Sequence, residues 1–267
     1  DSTKNVAMTY VNSGYVDMLT MNVTKAPFDD PNVRKAMSQL VDRSGLLQPL
    51  FNGKAILASS IVPDTQLSSV LGADGAKTFN ASLPKVPTFD IAAAKASLAA
   101  SKSPQGFSVT LSVDTTQPWM SPLAQNLAEN AKQIGITIDV KNVSDADWVT
   151  AITDPKGSPL QLLALGAQTP NPGELPPLIL GKGAYNVAGY TSPSLITSLN
   201  ALGAAPNSAA TPPLLVPVLT PVGTDLPYMP LYDEQEAIAI GTKLVWQGGY
   251  SYWAPGQMWP LSLRAAS

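Results

Sequence analysis

The stretch from Phe107 to Gly166 constrains the fold most. "FSVTLSV", Phe107 to Val113, alternates apolar and polar residues and predicts a half-buried strand. Leu123, Leu127, Ala131 and Ile134 then recur at helical spacing, and Gly135 follows as a helix terminator. "ITIDV" alternates again, "DADWVTAI" predicts a short helix capped by Asp145, and "LQLLALG" is an apolar run bounded by turn residues. Strand, helix, strand, helix, strand in this order predicts a mainly parallel sheet with helices on its faces.

The preceding part adds capped helices. In "KAPFDDPNVRKAMSQLVDR", Lys25 to Arg43, Asp29 or Asp30 can cap the first free N–H groups and Pro31 suits the first helical position. Val33, Met37, Leu40 and Val41 form one apolar stripe. A second short helix is expected from Asp42, and Asp90 caps an alanine-rich helix, Ile91 to Ala100. Val16 to Asn22 predicts a strand. Residues 53–88, rich in Gly, Pro, Ser and Asp, read as a long surface excursion. Beyond Gly166 the chain turns irregular, with a helix expected over Ser192–Leu202. The segment from Thr211 is helical in apolar content but is expected to kink or break at Pro217 and Pro221. "PYMPLYDEQEAIAIG" reads as extended.

Composition limits the chemistry. The 267 residues hold 45% hydrophobic and 13% charged side chains, which is globular rather than disordered. A net charge of −3 argues against a nucleic-acid surface, and no apolar run approaches the roughly 18 residues of a membrane span. The chain has no His and no Cys, so it has no disulfides, no thiolate or imidazole zinc site and no imidazole base. No cofactor and no metal are expected. Ser82-Leu83-Pro84-Lys85 fits the S-x-x-K nucleophile motif, but Pro84 disfavours the helix it needs and Lys77-Thr78-Phe79 lacks the glycine of K-T-G. No phosphate loop or dinucleotide fingerprint is present, so no enzyme is expected.

Five segments in order resemble the family 5 extracellular solute-binding proteins, the peptide- and nickel-type receptors of ABC importers. They are "PFDDPNVRKAMSQLVDR", "FDIAAAKASLAAS", "LAENAKQIGITIDV" with Asp147-Trp148 beyond it, "NVAGYTSPSLITSLN" and "DLPYMPLY". The resemblance implies an α/β fold, one lobe of the type II periplasmic-binding-protein architecture with a mixed sheet flanked by helices. It divides the chain into a hinge-proximal segment and incoming strand (1–22), a C-terminal lobe (23–235) and a tail returning toward a missing N-terminal lobe (236–267). Lacking an initiating Met, the chain reads as a processed or trimmed C-terminal half of a longer receptor. The implied function is noncovalent capture of a small, peptide-like ligand between two lobes, outside the cytoplasm, for an ABC permease in the membrane. The full-length form would be anchored as a lipoprotein, and the fragment would self-associate. The alternative is a receptor-like lipoprotein that has lost transport and serves as a regulator or scaffold in cell-envelope biosynthesis.

The resemblance also implies site residues. In peptide-binding members an Asp after the "LQLLALG"-like strand holds the ligand's ammonium; here Gln168 takes its place, with Asn171 and Glu174 nearby. Glutamine accepts a hydrogen bond but brings no charge. Gln117 and Trp119 follow a strand end, where ligands bind in α/β sheets, and Trp119 either stacks on a ligand or packs under the loop. Tyr185 and Asn186 are candidates to reach the cleft, while Tyr190 is expected to pack. The aromatic tail of Trp246, Tyr250, Tyr252, Trp253 and Trp259 suits interlobe packing better than sugar stacking.

Overall fold

The computed structural model describes residues 5–154, 156–247, 250–253 and 262–266. Trp259, one of the tail aromatics singled out from the sequence, lies outside them. Two long strands organise the rest: β1, Val6–Met21, and β6, Tyr228–Gly241, pair antiparallel from Thr20↔Tyr228 to Val6↔Gly241. β5, Leu160–Gly166, pairs with β1 on its other edge, and the short β2, Ala55–Leu57, pairs with β6. The sheet order is β2-β6-β1-β5.

This corrects the expected mainly parallel sheet. Only β3, Ser108–Asp114, and β4, Thr137–Val143, form a parallel pair among the described residues, and they make a separate two-stranded sheet. The apolar run of β5 buries equally well on either kind of ladder, and its partner in β1 lies far back in the chain. Burial is continuous across both sheets. Met18, Leu19 and Met21 of β1, Leu111 and Val113 of β3, Leu160 and Leu162 of β5, and Met229 and Leu231 of β6 share one core.

The capped helices form where local chemistry dictates. α1, Pro31–Gln39, has Asp30 as its cap, accepting from Asn32 N at 2.8 Å, and Pro31 in its first turn. Its stripe of Val33, Ala36 and Met37 is buried, and it packs on α4, Ile91–Ala99, capped by Asp90. Asp30 also accepts from Lys102 N at 2.7 Å, tying the start of α1 to the turn after α4. α2, Arg43–Phe51, is capped by Asp42 as expected.

Residues 53–88 are not a surface excursion. They hold β2 and α3, Asp64–Ser82, a helix broken at Gly72 (φ 70°) that buries Gln66, Leu67 and Ala76. Its Ser, Thr, Asp and Gly content hid it, since its buried face is narrow. α5, Met120–Lys132, buries Leu123, Leu127 and Ala131, and Gly135 follows in the left-handed region at φ 88°. α6, Asp145–Thr153, is capped by Ser144 rather than Asp145. The irregular stretch contains a short α7, Leu175–Ile179, and α8, Pro193–Gly203, starts at its Ser192 cap. α9, Thr211–Asp225, runs through Pro217 and Pro221 as one helix instead of breaking. A small hairpin of β7, Leu244–Trp246, and β8, Leu263–Ala265, follows β6.

The outer half of β1 is mostly exposed and that of β6 exposed or half-buried, whereas the inner halves are mostly buried. The change falls at a bulge: Asn12 faces Gln235 and Val16 faces Asp233, so Ser13, Gly14 and Tyr15 stand opposite Glu234 alone. A bulge bends and twists its strand. The two strands therefore leave the body side by side as a two-stranded ribbon.

Candidate functional site

The ribbon's root and the end of β5 meet. Tyr15 pairs with Gly166, and Ala167 N donates to Gly14 O at 2.9 Å. The loop that follows, 167–174, is closed by one side chain. Glu174 accepts Gln168 N through Oε1 at 2.8 Å, and Thr169 N and Oγ1 through Oε2 at 2.8 and 2.6 Å. Gln66, wholly buried on α3, holds the loop from beneath: its Nε2 donates to Thr169 O at 2.8 Å and Asn171 O at 2.7 Å. Asn171 Oδ1 accepts Gly173 N at 3.0 Å.

Charge and exposure therefore divide among the three loop residues named from the sequence. The Glu174 carboxylate points into its own loop and is occupied by donors there. Asn171 braces the turn. Gln168 is exposed, is bound among the described residues only through its backbone N–H, and its side chain is the one of the three offered to solvent. Sequence reading missed Gln66. The Pro63-Asp64 start and the Leu67 that follows were the available signal.

Aromatic rings border the loop. The Tyr15 ring lies over Gly166, where a Cβ would come within 2.6 Å of it, and Tyr15 is 42% exposed. Tyr252 and Trp253 contact each other edge to face at 4.8 Å and cover Gly14, where a Cβ would meet Tyr252 at 2.5 Å. These two glycines are what let the rings approach the backbone. Burial, then the nearby Tyr15, Glu236, Glu174 and Tyr250, push the Tyr252 phenol up to about 12, so it remains a neutral donor.

The other candidates lie elsewhere. Trp119 is 2% exposed and packs in the core, so its ring offers no face to a ligand. Gln117 is half-buried in the turn after β3, which Asp114 closes by accepting Thr116 N at 2.8 Å and Thr116 Oγ1 at 2.7 Å. Among the described residues no hydrogen bond links that turn to the 167–174 loop.

Tyr185 and Asn186 sit at the opposite end of β5, near residues 20–24: Asn22 Nδ2 donates to Val187 O and Val23 N to Ala188 O. The seven residues of β5, about 20 Å end to end, separate them from Gln168. Asn186 is consumed as a brace, donating to Gly181 O and Tyr190 O and accepting from Tyr190 N. Tyr185 is 50% exposed at that far end. Tyr190 packs as expected, its hydroxyl donating to Asp225 Oδ2 at 2.5 Å. The structure thus brings Gln168, Asn171 and Glu174 together and leaves Gln117, Trp119, Tyr185 and Asn186 apart from them.

Among the described residues no group of three or more acidic side chains can hold a metal ion, and no helix is long and apolar enough to cross a membrane.

Known proteins share this architecture. HbpA2 from Haemophilus parasuis superposes over 98% of this chain and 50% of its own, with a TM-score of 0.81 at 17% identity. DppA from Helicobacter pylori, solved with the peptide STSA, matches 93% of this chain and 46% of its own at a TM-score of 0.77 and 17% identity. NikA from Staphylococcus aureus, solved with Ni(L-His)2, gives 0.76 at 19% identity, over 94% of this chain and 51% of its own. In sequence, the glutathione-binding protein GsiB of Escherichia coli K12 is 28% identical over 157 residues, 59% of this chain and 28% of GsiB. The chain thus spans about half the length of these structures and lines up with a little over a quarter of GsiB. The structural likeness shows the fold, an α/β lobe of the type II periplasmic-binding-protein kind. The family described as "Bacterial extracellular solute-binding proteins, family 5 Middle" matches residues 1–186, and the chain belongs to that family.

Proposed function

We propose that this chain is one lobe of a two-lobed receptor that captures a small, peptide-like solute outside the cytoplasm and passes it to an ABC permease. The observation that carries this reading is the β1–β6 ribbon. Two paired strands leave the body together, beside a loop that presents Gln168 and is bordered by Tyr15, Tyr252 and Trp253. A paired exit lets a second body swing over that loop, the hinge closure that clamps a ligand between two surfaces. The relatives named above are solute receptors and not enzymes, and they give the regulator or scaffold alternative no support.

In this reading residues 1–22 approach from the hinge, 23–235 form the lobe and 236–267 return toward the second lobe. Gln168 meets the solute where a carboxylate would pair with an ammonium. The apolar face of Ile238, Ile240, Leu244, Trp246 and Tyr250 along the ribbon is covered by the second lobe, and in its absence favours self-association. The full receptor is held at the cell surface as a lipoprotein.

The test is native mass spectrometry of the two-lobed protein that contains this chain, followed by calorimetry with di- to tetrapeptides and glutathione. A stoichiometric solute whose binding is lost when residues 1–267 are produced alone supports the reading. A two-lobed protein that carries no solute and binds none of these probes refutes it.

A further inference from the structure

The ribbon's root holds a pair of acids that enter none of the ion pairs found among the described residues. Asp17 lies on β1 between two register irregularities, the Ser13–Tyr15 bulge and the shift between Asp17 and Met18. It is 0% exposed, and neither carboxyl oxygen has a hydrogen-bond donor among the described residues. Asp17 faces Tyr232 on β6, and Glu234, two residues farther along that strand, projects to the same side. The register therefore sets the two carboxyl groups on one face of neighbouring strands, two positions apart.

Among the described residues the cations nearest the pair are engaged elsewhere. From α2, the Arg43 guanidinium is spent on Ala58 O at 2.8 Å and Pro230 O at 2.9 Å, and the α2 cap is another acid, Asp42. Ahead of β2, Lys54 Nζ sits over the Tyr10 ring at 3.8 Å. From β6 come Tyr232, whose hydroxyl donates to Arg43 O, and Asp233 on the other side of the sheet. Asp233 receives Asp64 N from the start of α3. Tyr15 of β1 is the remaining titratable neighbour along that strand, and β5 carries no charged residue. Two carboxylates this close, one of them fully desolvated, cannot both ionise without cost; one proton shared between them satisfies both.

We propose that Asp17 and Glu234 form a proton-held latch at the root of the β1–β6 ribbon. With the shared proton in place the strands stay joined just inside the bulge. When it leaves, the two carboxylates repel, the strands part at that point, and the ribbon is free to bend. The chemistry runs in that direction: burial, then the charge of Glu234, raises Asp17 well above the usual carboxylate range, and burial raises Glu234 as well. The latch therefore holds at acidic pH and releases as pH rises. It rests on the hinge reading above, but its test needs no ligand.

The experiment is amide hydrogen exchange on the 267-residue chain from pH 5.5 to 9, with exchange times scaled for intrinsic rates. In the wild type, protection of residues 7–12 and 235–240 falls at least about tenfold across that range, while β5 keeps its protection. Glu234→Gln, at a half-buried position, removes the pH dependence, and Asp17→Asn does the same. Asp233→Asn, which removes a lesser charge acting on Asp17 from the other side of the sheet, moves the ribbon's trend to lower pH without abolishing it. Flat wild-type protection overturns the proposal, as does a wild-type trend persisting in Glu234→Gln. A trend abolished by millimolar calcium or magnesium makes the pair a cation site and overturns it too. A receptor that binds no solute would refute the function proposed above and leave this result standing.

Discussion

Glu174→Ala tests whether one carboxylate shapes the loop that presents Gln168. Its three short contacts, 2.8, 2.8 and 2.6 Å, are hydrogen bonds to a charged acceptor. Such bonds contribute roughly 1.5–3 kcal/mol each in mutational series. Gln168 and Thr169 are exposed, so their freed donors turn to water and the full sum is not lost. About 2–4 kcal/mol of local stability is the reasoned loss. Gln66 Nε2 still holds Thr169 O and Asn171 O, which confines the change to the loop. Exchange of the Gln168 and Thr169 amides should therefore accelerate roughly 30- to 1000-fold, at about 1.4 kcal/mol per decade. The global urea midpoint should move little, because the loop's apolar neighbours stay in the core. Amide exchange followed by NMR measures both. Gln168 and Thr169 amides exchanging within about threefold of the wild-type rate would show that Gln66 and the backbone suffice to shape the loop and that Glu174 does not.

Burial pushes the Asp233 carboxyl up to about 8, against about 3.9 for an unfolded Asp. The native state then holds the proton more tightly, so this group's stabilising contribution is complete at acidic pH, erodes as pH rises from about 4 to about 8 and levels off above. Urea midpoints at pH 5 and pH 8 should differ less in Asp233→Asn than in the wild type; equal differences would contradict the assignment. Gly106→Ala should cost more than about 3 kcal/mol, read as a lowered thermal midpoint, because φ is +90° and its Cβ would lie 1.9 Å from Gly135 O. A loss below about 1 kcal/mol would mean the turn relaxes freely. In the two-lobed protein, Gln168→Asp should tighten binding of peptides with a free N-terminus about ten- to a hundredfold and leave N-acetylated peptides unchanged; calorimetry showing equal effects on both would remove Gln168 from the ammonium position.

The parts of the fold that are local in cause were legible. Asp30-Pro31, Asp42, Asp90 and Ser192 each start a helix through a contact no more than three residues away, and such contacts are written in the sequence. The pairing of β5 with β1 was not, because Gly166 and Tyr15 are joined across most of the body and an apolar run carries no sign of its partner. α3 was hidden for a related reason: Gln66 is buried but polar, and its role depends on two carbonyls over a hundred residues away. For the site, the loop's place after β5 was legible. The direction of Glu174 was not, since charge is visible in a sequence while the donors that consume it are set by loop geometry. Trp119 and Asn186 show the same limit. Each side chain suits a ligand or a brace, and packing alone decides.

A two-stranded ribbon behaves as a leaf spring. Hydrogen bonds across its width resist stretching and shear, while bending and twisting along its length meet only soft backbone torsions. A load on the free end of β1–β6 therefore becomes rotation about the root. Ala167 N is bonded to Gly14 O at that root, so the 167–174 loop sits at the fulcrum, where travel is least and torque greatest. A group touching Gln168 would register a swing of the ribbon as a change of angle at nearly constant distance.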